Sequence, residues 1–174
     1  MELVAEMEFF LAEFNFKKAI TKDYTVPGSE SVALPGANFW WKASSPLVHF
    51  HRQSGWTVFL WGSAWLRTQQ KASQDLAYEI AIELSQGGNL PSYLANLEGD
   101  FGILVWNEEK GELFFATDPI GMVKVYYGEA QAKIIVSSHA HLVAKELGQF
   151  KVSAQGLSIL FSLKGIPAPY TIFQ

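Results

Sequence analysis

The sequence predicts an α+β fold: antiparallel sheets with helices packed as separate layers. Two observations carry the prediction. Strand-like and helix-like segments come in blocks (strands, a helix pair, strands, a helix pair), unlike the one-for-one alternation of a doubly wound parallel sheet. Tight polar turns at Ser54-Gly55 and at Asn107 to Gly111 separate apolar runs, as hairpins require. The 174 residues are 49% hydrophobic and include 6 Trp, 13 Phe and 6 Tyr, enough to fill one core, so a single domain spanning 1–174 is expected.

In chain order, Met7 to Phe14 is an apolar run broken by Glu8 and Glu13 and predicts a strand. Residues 21 to 37 hold Pro27, Gly28, Pro35 and Gly36 and predict a loop. Strands are then expected at Phe39–Lys42, Leu47–His51 and Trp56–Trp61. At 74–86 the period changes. Leu76, Ile80 and Leu84 recur every four residues, an amphipathic helix that Gly87-Gly88 ends. Leu90, Tyr93, Leu94 and Leu97 predict a second helix over 90–97. Strands follow at 100–106 and 112–117, with Gly111 suited to a left-handed turn position, and then at 123–127 and 132–137. Residues 138–147 and 154–163 read as helices, and prolines 167 and 169 hold the tail extended.

The net charge of −4 and the lack of any Lys/Arg cluster argue against nucleic acid as a partner. Zero Cys excludes disulfides, thiolate catalysis and Cys-ligated zinc in this chain. No stretch reaches the ~20 apolar residues of a membrane span. The opening segment carries Glu2, Glu6, Glu8 and Glu13, unlike a signal peptide with its basic start. The chain is expected to be soluble and cytoplasmic.

The four histidines form two His-x-His pairs, His49/His51 and His139/His141. On a strand i and i+2 share a face, so either pair could approach a metal, but no carboxylate completes a ligand set and no metal is expected. Gln86-Gly87-Gly88-Asn89 follows a helix instead of opening one, so it is a helix stop and not a phosphate cradle.

Four blocks carry a family resemblance. The first is Leu60-Trp61-Gly62-Ser63-Ala64-Trp65. The second runs Leu97-Glu98-Gly99-Asp100-Phe101, then Leu113-Phe114-Phe115-Ala116-Thr117-Asp118-Pro119-Ile120-Gly121-Met122, then Tyr126-Tyr127. The third is Val136-Ser137-Ser138-His139-Ala140-His141-Leu142-Val143, and the last is Gly165-Ile166-Pro167-Ala168-Pro169-Tyr170-Thr171-Ile172-Phe173. In order and spacing they resemble the glutaminase (class II glutamine amidotransferase) domain of the asparagine synthetase family. The Gly-Ser block and the Glu-Gly-Asp-Phe turn are most similar to the branch containing carbapenam synthetase and β-lactam synthetase, whose glutaminase domain is inactive. The resemblance implies an N-terminal-nucleophile-hydrolase-like four-layer αββα sandwich with two antiparallel sheets.

It also implies a test of chemistry. The family's glutaminase uses an N-terminal Cys, whose thiolate attacks the glutamine amide with the α-amine as base. An Asn side chain and a Gly N–H hold the oxyanion. Here there is no Cys, the first hydroxyl is Thr21, and the Asn position falls on Trp61. Gly62 keeps the backbone donor. The glutamine-gripping Asp should fall near Ala77, while Asp75 lies two residues away on another helix face. The family's Arg and Lys around Asp-Pro-x-Gly land on Thr117 and Val123. No catalytic residue is therefore expected.

Trp61, Gly62, Ser63 and Asp100 are expected to line a vestigial pocket, filled by Trp61 and Trp65. Asp118, Pro119, Gly121 and Ser138 are expected to build turns or to contact a partner domain. In the family a synthetase domain with an S-G-G-x-D-S-S loop follows, binds ATP and magnesium, and adenylates a carboxylate. This sequence reaches Gln174 without that loop. ATP and magnesium are thus expected only in a separate synthetase domain, on the same longer chain or on another subunit. The expected function is a non-catalytic glutaminase-like domain or subunit of an ATP-dependent amide- or lactam-forming ligase. The alternative is a stand-alone binding module that reuses the old glutamine pocket.

Overall fold

The computed structural model describes residues 8–16, 28–42, 48–68, 76–149 and 151–164. Thr21, Asp75 and the Gly165–Phe173 block lie outside the described residues. Nine strands and four helices follow one another among those described: β1 (Phe9–Asn15), β2 (Glu30–Leu34), β3 (Ala37–Lys42), β4 (Val48–Gln53), β5 (Trp56–Leu66), α1 (Leu76–Ser85), α2 (Leu90–Leu94), β6 (Leu97–Asn107), β7 (Glu112–Thr117), β8 (Tyr126–Ala130), β9 (Lys133–Ser137), α3 (Ala140–Leu147) and α4 (Ala154–Leu163). They make a five-stranded sheet, β2-β3-β1-β9-β8, and a four-stranded sheet, β4-β5-β6-β7. Every described pairing is antiparallel.

Alternation along the strands sorts the core into layers. On β5, Phe59 and Trp61 turn inward to meet Phe10, Phe14 and Phe39 of the other sheet. Val58, Leu60 and Ala64 turn outward and are covered by Leu76, Ile80 and Leu84 of α1 and Leu90 of α2. On the far side, Phe9 and Leu11 of β1 and Ile135 of β9 are covered by Leu142 and Val143 of α3. Helix, sheet, sheet, helix is the N-terminal-nucleophile-hydrolase-like αββα sandwich implied by the resemblance. Aromatic rings dominate the middle layer. Phe39 stacks on Phe59 at 5.7 Å, Trp41 stacks on Phe50 at 5.9 Å, and Phe14 meets Trp106 at 5.3 Å. Such pairs add to area burial by about 0.5–1.5 kcal/mol each.

The turns follow the predicted chemistry. Ser54 (φ 47°) and Gly55 (φ 77°) are both left-handed, as a two-residue hairpin needs. Gly111 has φ 63°, and the Asn107 side chain accepts the N–H groups of Glu109 and Lys110. Gly88 N–H closes α1 on the Glu83 carbonyl at 2.9 Å, confirming the helix stop. Asn89 then caps α2 by accepting Ser92 N–H at 3.0 Å.

Four expectations need correction. The 21–37 loop contains strand β2, and Pro35-Gly36 is the turn of the β2–β3 hairpin, with Gly36 at φ 73°. The strand expected at 56–61 runs to Leu66, because pairing with β6 continues through Gly62 and Ser63. The helix expected over 90–97 stops at Leu94, and Leu97 starts β6, because Arg67 N–H takes the Asn96 carbonyl at 2.9 Å and draws the chain into the sheet. Residues 123–125 are not strand: the Val123 N–H is bound to Asp118 at 3.0 Å, and β8 begins only at Tyr126. No helix among the described residues is long and apolar enough to cross a membrane.

Candidate functional site

The first block lies where β5 and β6 bend. Gly62 (φ 102°) sits opposite Phe101, and Gly99 (φ 116°) sits opposite Ala64. Both are in the left-handed half of backbone space, which a side chain resists. Space excludes one as well. A Cβ on Gly62 would collide with the Asp100 carbonyl oxygen, and a Cβ on Gly99 with the Ser63 carbonyl oxygen. The two glycines are therefore a matched pair, each admitting a carbonyl of the opposite strand. Between them Ser63 and Asp100 stand directly opposite one another, both exposed.

Trp61 is 9% exposed, and its ring centroid lies 5.5 Å from that of Phe10, so it belongs to the layer between the sheets. Trp65 behaves differently. Its indole N–H donates to Glu98 at 3.2 Å, its ring edge covers Gly99, and Arg67 pairs with the same Glu98 at 2.8 Å. Of the two tryptophans expected to fill the old pocket, Trp61 is wedged between the sheets and Trp65 is held on the β6 side.

The second group is one hydrogen-bonded turn. Asp118 is 3% exposed. Its carboxylate accepts the N–H groups of Ile120 (3.1 Å), Met122 (3.0 Å) and Val123 (3.0 Å). Its own N–H donates to the Phe101 carbonyl, and its carbonyl accepts from Gly121 N–H, with Gly121 at φ 68°. Burial pushes the carboxyl pKa up, but the N–H groups of Met122, Val123, Ile120 and Gly121 outweigh it and hold the group below the ordinary carboxylate value. Pro119 supplies a fixed φ at the next position. The turn displays Ile120, 83% exposed, and Met122, 61% exposed. Val123 and Val125 then fold back against Gly102, whose missing side chain leaves room for them.

Ser138 closes the third side. Its Oγ accepts Phe10 N–H at 3.0 Å and lies 2.9 Å from His139 Nδ1. The two contacts tie the β9–α3 junction to β1. The helix expected from residue 138 starts at Ala140, with Ser138 held to the β1 edge instead. Next to it Ser137, fully buried, donates to the Phe10 carbonyl at 2.6 Å.

The eight predicted residues do not gather in one place: Trp61 and Ser138 contact Phe10, Gly62 and Asp118 pair with Phe101 of the layer under α1, and Ser63 and Asp100 are exposed. Phe10 touches Trp61 and both serines, and Phe101 joins the Gly62 bend to the Asp118 turn. Phe10, Ser137 and Gly99 were not singled out from the sequence. Ser137 and Gly99 stood inside the quoted blocks, while nothing distinguishes Phe10 from its neighbours in an apolar strand. No thiol is available, and the described hydroxyl–imidazole contact is engaged with the backbone. Among the described residues, no three His, Cys, Asp or Glu side chains converge to hold a metal. The His139 and His141 rings are 5.6 Å apart, and the His51 ring packs on Tyr78 at 4.7 Å.

A family model described as "Glutamine amidotransferase domain" matches residues 70–174, more than half of the chain. The chain belongs to the glutamine amidotransferase domain family. The match holds Gly99, Asp100, the Asp118 turn and Ser138, while Trp61, Gly62 and Ser63 lie upstream of residue 70. No curated protein matches the chain. In this amidotransferase domain Gly62, Gly99, Asp118 and Gly121 shape the backbone. The position aligned above with the oxyanion Asn carries an indole packed in the core.

Proposed function

We propose that this amidotransferase domain hydrolyses no glutamine and serves as the non-catalytic half of an asparagine-synthetase-type, ATP-dependent ligase that forms an amide or a lactam. The observation that carries the reading is Trp61: a buried indole, 5.5 Å from Phe10, where the family resemblance calls for an amide donor. An indole has one N–H and no carboxamide, so it cannot take that role beside the Gly62 N–H. The lack of any Cys in the chain supports the same conclusion. In this reading the nitrogen comes from ammonia or from an amine of the substrate. ATP and magnesium bind the synthetase domain, and this domain covers and positions it. The Asp118 turn, which holds Ile120 and Met122 out in rigid form, and α4, which leaves Phe161 78% and Leu163 65% exposed, supply apolar surface for such a partner.

The test is direct. The purified chain, alone and with an asparagine-synthetase-type synthetase domain, is incubated with glutamine and assayed for ammonia and glutamate. The expected result is release no faster than in buffer, with ATP-dependent product formed from ammonia or from the substrate amine. Glutamine-dependent ammonia release lost on Trp61 substitution would overturn the reading.

A further inference from the structure

The helix that covers the five-stranded sheet begins on two histidines. His139 is the N-cap of α3 and His141 lies in its first turn, with ring centroids 5.6 Å apart and both side chains half-buried. A helix N-terminus is the positive end of the macrodipole, the wrong end for a cationic imidazole, and the first turn of α3 holds no acidic residue to offset one. Lys145, one turn on from His141 and on the same face, adds a third positive charge. Carboxylates on the neighbouring elements do not answer these charges. Glu13 of β1 is committed to Lys133 of β9 at 3.0 Å, and Glu129 of β8 stands opposite Ile134, toward the other end of β9. Glu8 before β1, Lys42 of β3, Tyr126 and Tyr127 of β8 and Glu146 of α3 are the other titratable groups on these elements. None of them governs the pair: burial acts first, then His141 on His139 and Lys145 on His141, all against the proton.

The same residues close the junction between β9 and α3. Ser138 Oγ accepts Phe10 N–H at 3.0 Å and lies 2.9 Å from His139 Nδ1, and His139 N–H donates to Ser137 Oγ at 3.2 Å. The far end of α3 is held separately, by the left-handed C-cap Gly148 (φ 67°) and by Lys133 Nζ, which donates to the Glu146 carbonyl at 3.5 Å. We propose that the β9–α3 junction is an acid-released latch: when His139 and His141 take up protons, the first turn of α3 separates from β1 and β9 while its last turn and both sheets hold. Two charged imidazoles at this spacing repel each other and Lys145, and a charged imidazole has no acceptor left for the Ser138 hydroxyl. The closed pair binds protons less readily than the released pair. Closure is therefore complete above the ordinary histidine pKa of about 6.5, and release is favoured as pH falls below it.

The latch needs neither glutaminase chemistry nor a ligase partner. Hydrogen exchange of the purified chain, read by mass spectrometry at about pH 7.5 and about pH 5.5 and corrected for the intrinsic pH dependence of exchange, tests it. Peptides covering Phe10 and residues 138–143 are expected to exchange at least about threefold faster at the acid pH, while β5 and β6 keep their protection. His139→Gln combined with His141→Gln should abolish the acid response, and Lys145→Glu should weaken it by giving His141 an opposite charge one turn away. Circular dichroism at neutral pH checks that each variant folds, and Lys145→Glu decides alone if the double variant does not. Equal protection of residues 138–143 at both pH values, an acid response that reaches β5 and β6 in step, or one left unchanged in the folded variants would each overturn the latch.

Discussion

Replacing Asp118 tests whether the Asp-Pro-x-Gly turn is held by its carboxylate. In Asp118→Ala three backbone N–H groups lose a charged acceptor. Each hydrogen bond to a charged group contributes about 1.5–3 kcal/mol, but Ile120 and Met122 are exposed and their N–H groups can find water. Val123, packed between the sheets, cannot do so as easily. The net loss is therefore nearer one or two such bonds than three, about 2–4 kcal/mol. Asp118→Asn keeps one acceptor and turns an NH2 toward a donor, so it should cost about half as much. The pH dependence is the sharper readout. The folded pKa of Asp118 lies below its unfolded value, so the stabilisation is fully present above the ordinary carboxylate pKa and is lost as pH falls through the folded pKa. Urea unfolding of wild type and Asp118→Ala, compared from neutral to acid pH, should show a stability gap constant above about pH 5 and closing below about pH 4. A gap under about 0.5 kcal/mol at neutral pH, or one that does not close in acid, would refute the argument.

Trp61→Ala should destabilise by about 3–5 kcal/mol through the cavity left against Phe10, and Trp61→Asn should do nearly as much without creating glutaminase activity; unfolding curves and an ammonia assay check both. Gly62→Ala meets both a left-handed backbone and the Asp100 carbonyl, so a loss of about 3 kcal/mol is expected, read by calorimetry as a fall in Tm of roughly 6–12 °C. The His139/His141 pair works against acid stability. Burial, then His141, holds His139 below its usual pKa, and burial, then Lys145, does the same to His141. The unfolded chain binds these protons more readily, so stability should fall as pH drops below about 6.5, and the double substitution to Gln should flatten that slope.

Most of the fold was legible because alternation and period survive wherever packing is regular. α1, α4 and the Asn107–Gly111 turn lie where the pattern places them. The misses share a cause: local punctuation overruled by long-range bonds. Pro27, Gly28, Pro35 and Gly36 masked β2, whose five residues are held by β3. Gly62 and Ser63 interrupt the apolar alternation, yet β6 carries the strand onward to Leu66. Val123 and Val125 look like strand residues, but the carboxylate five positions back takes the Val123 N–H. In the site, the Asp118 turn and Gly62 were readable because aspartate and glycine do a short-range task there. Phe10 was not, since its importance lies in partners 50 and more residues away, Trp61 on β5 and the serines at the end of β9.

These contacts separate what packing sets in this amidotransferase domain from what backbone geometry sets. An amide donor at position 61 would have to face the gap between the sheets beside Phe10. Polar groups left there without substrate carry a desolvation cost of about 1–3 kcal/mol each. An indole at position 61 removes that cost and adds ring contact with Phe10. The Gly62–Gly99 bend and the Asp118 turn are set differently, by the close approach of β5 to β6 and by the backbone N–H groups that the carboxylate accepts. Packing favours an aromatic at position 61, while sterics require the two glycines and hydrogen bonding requires the aspartate.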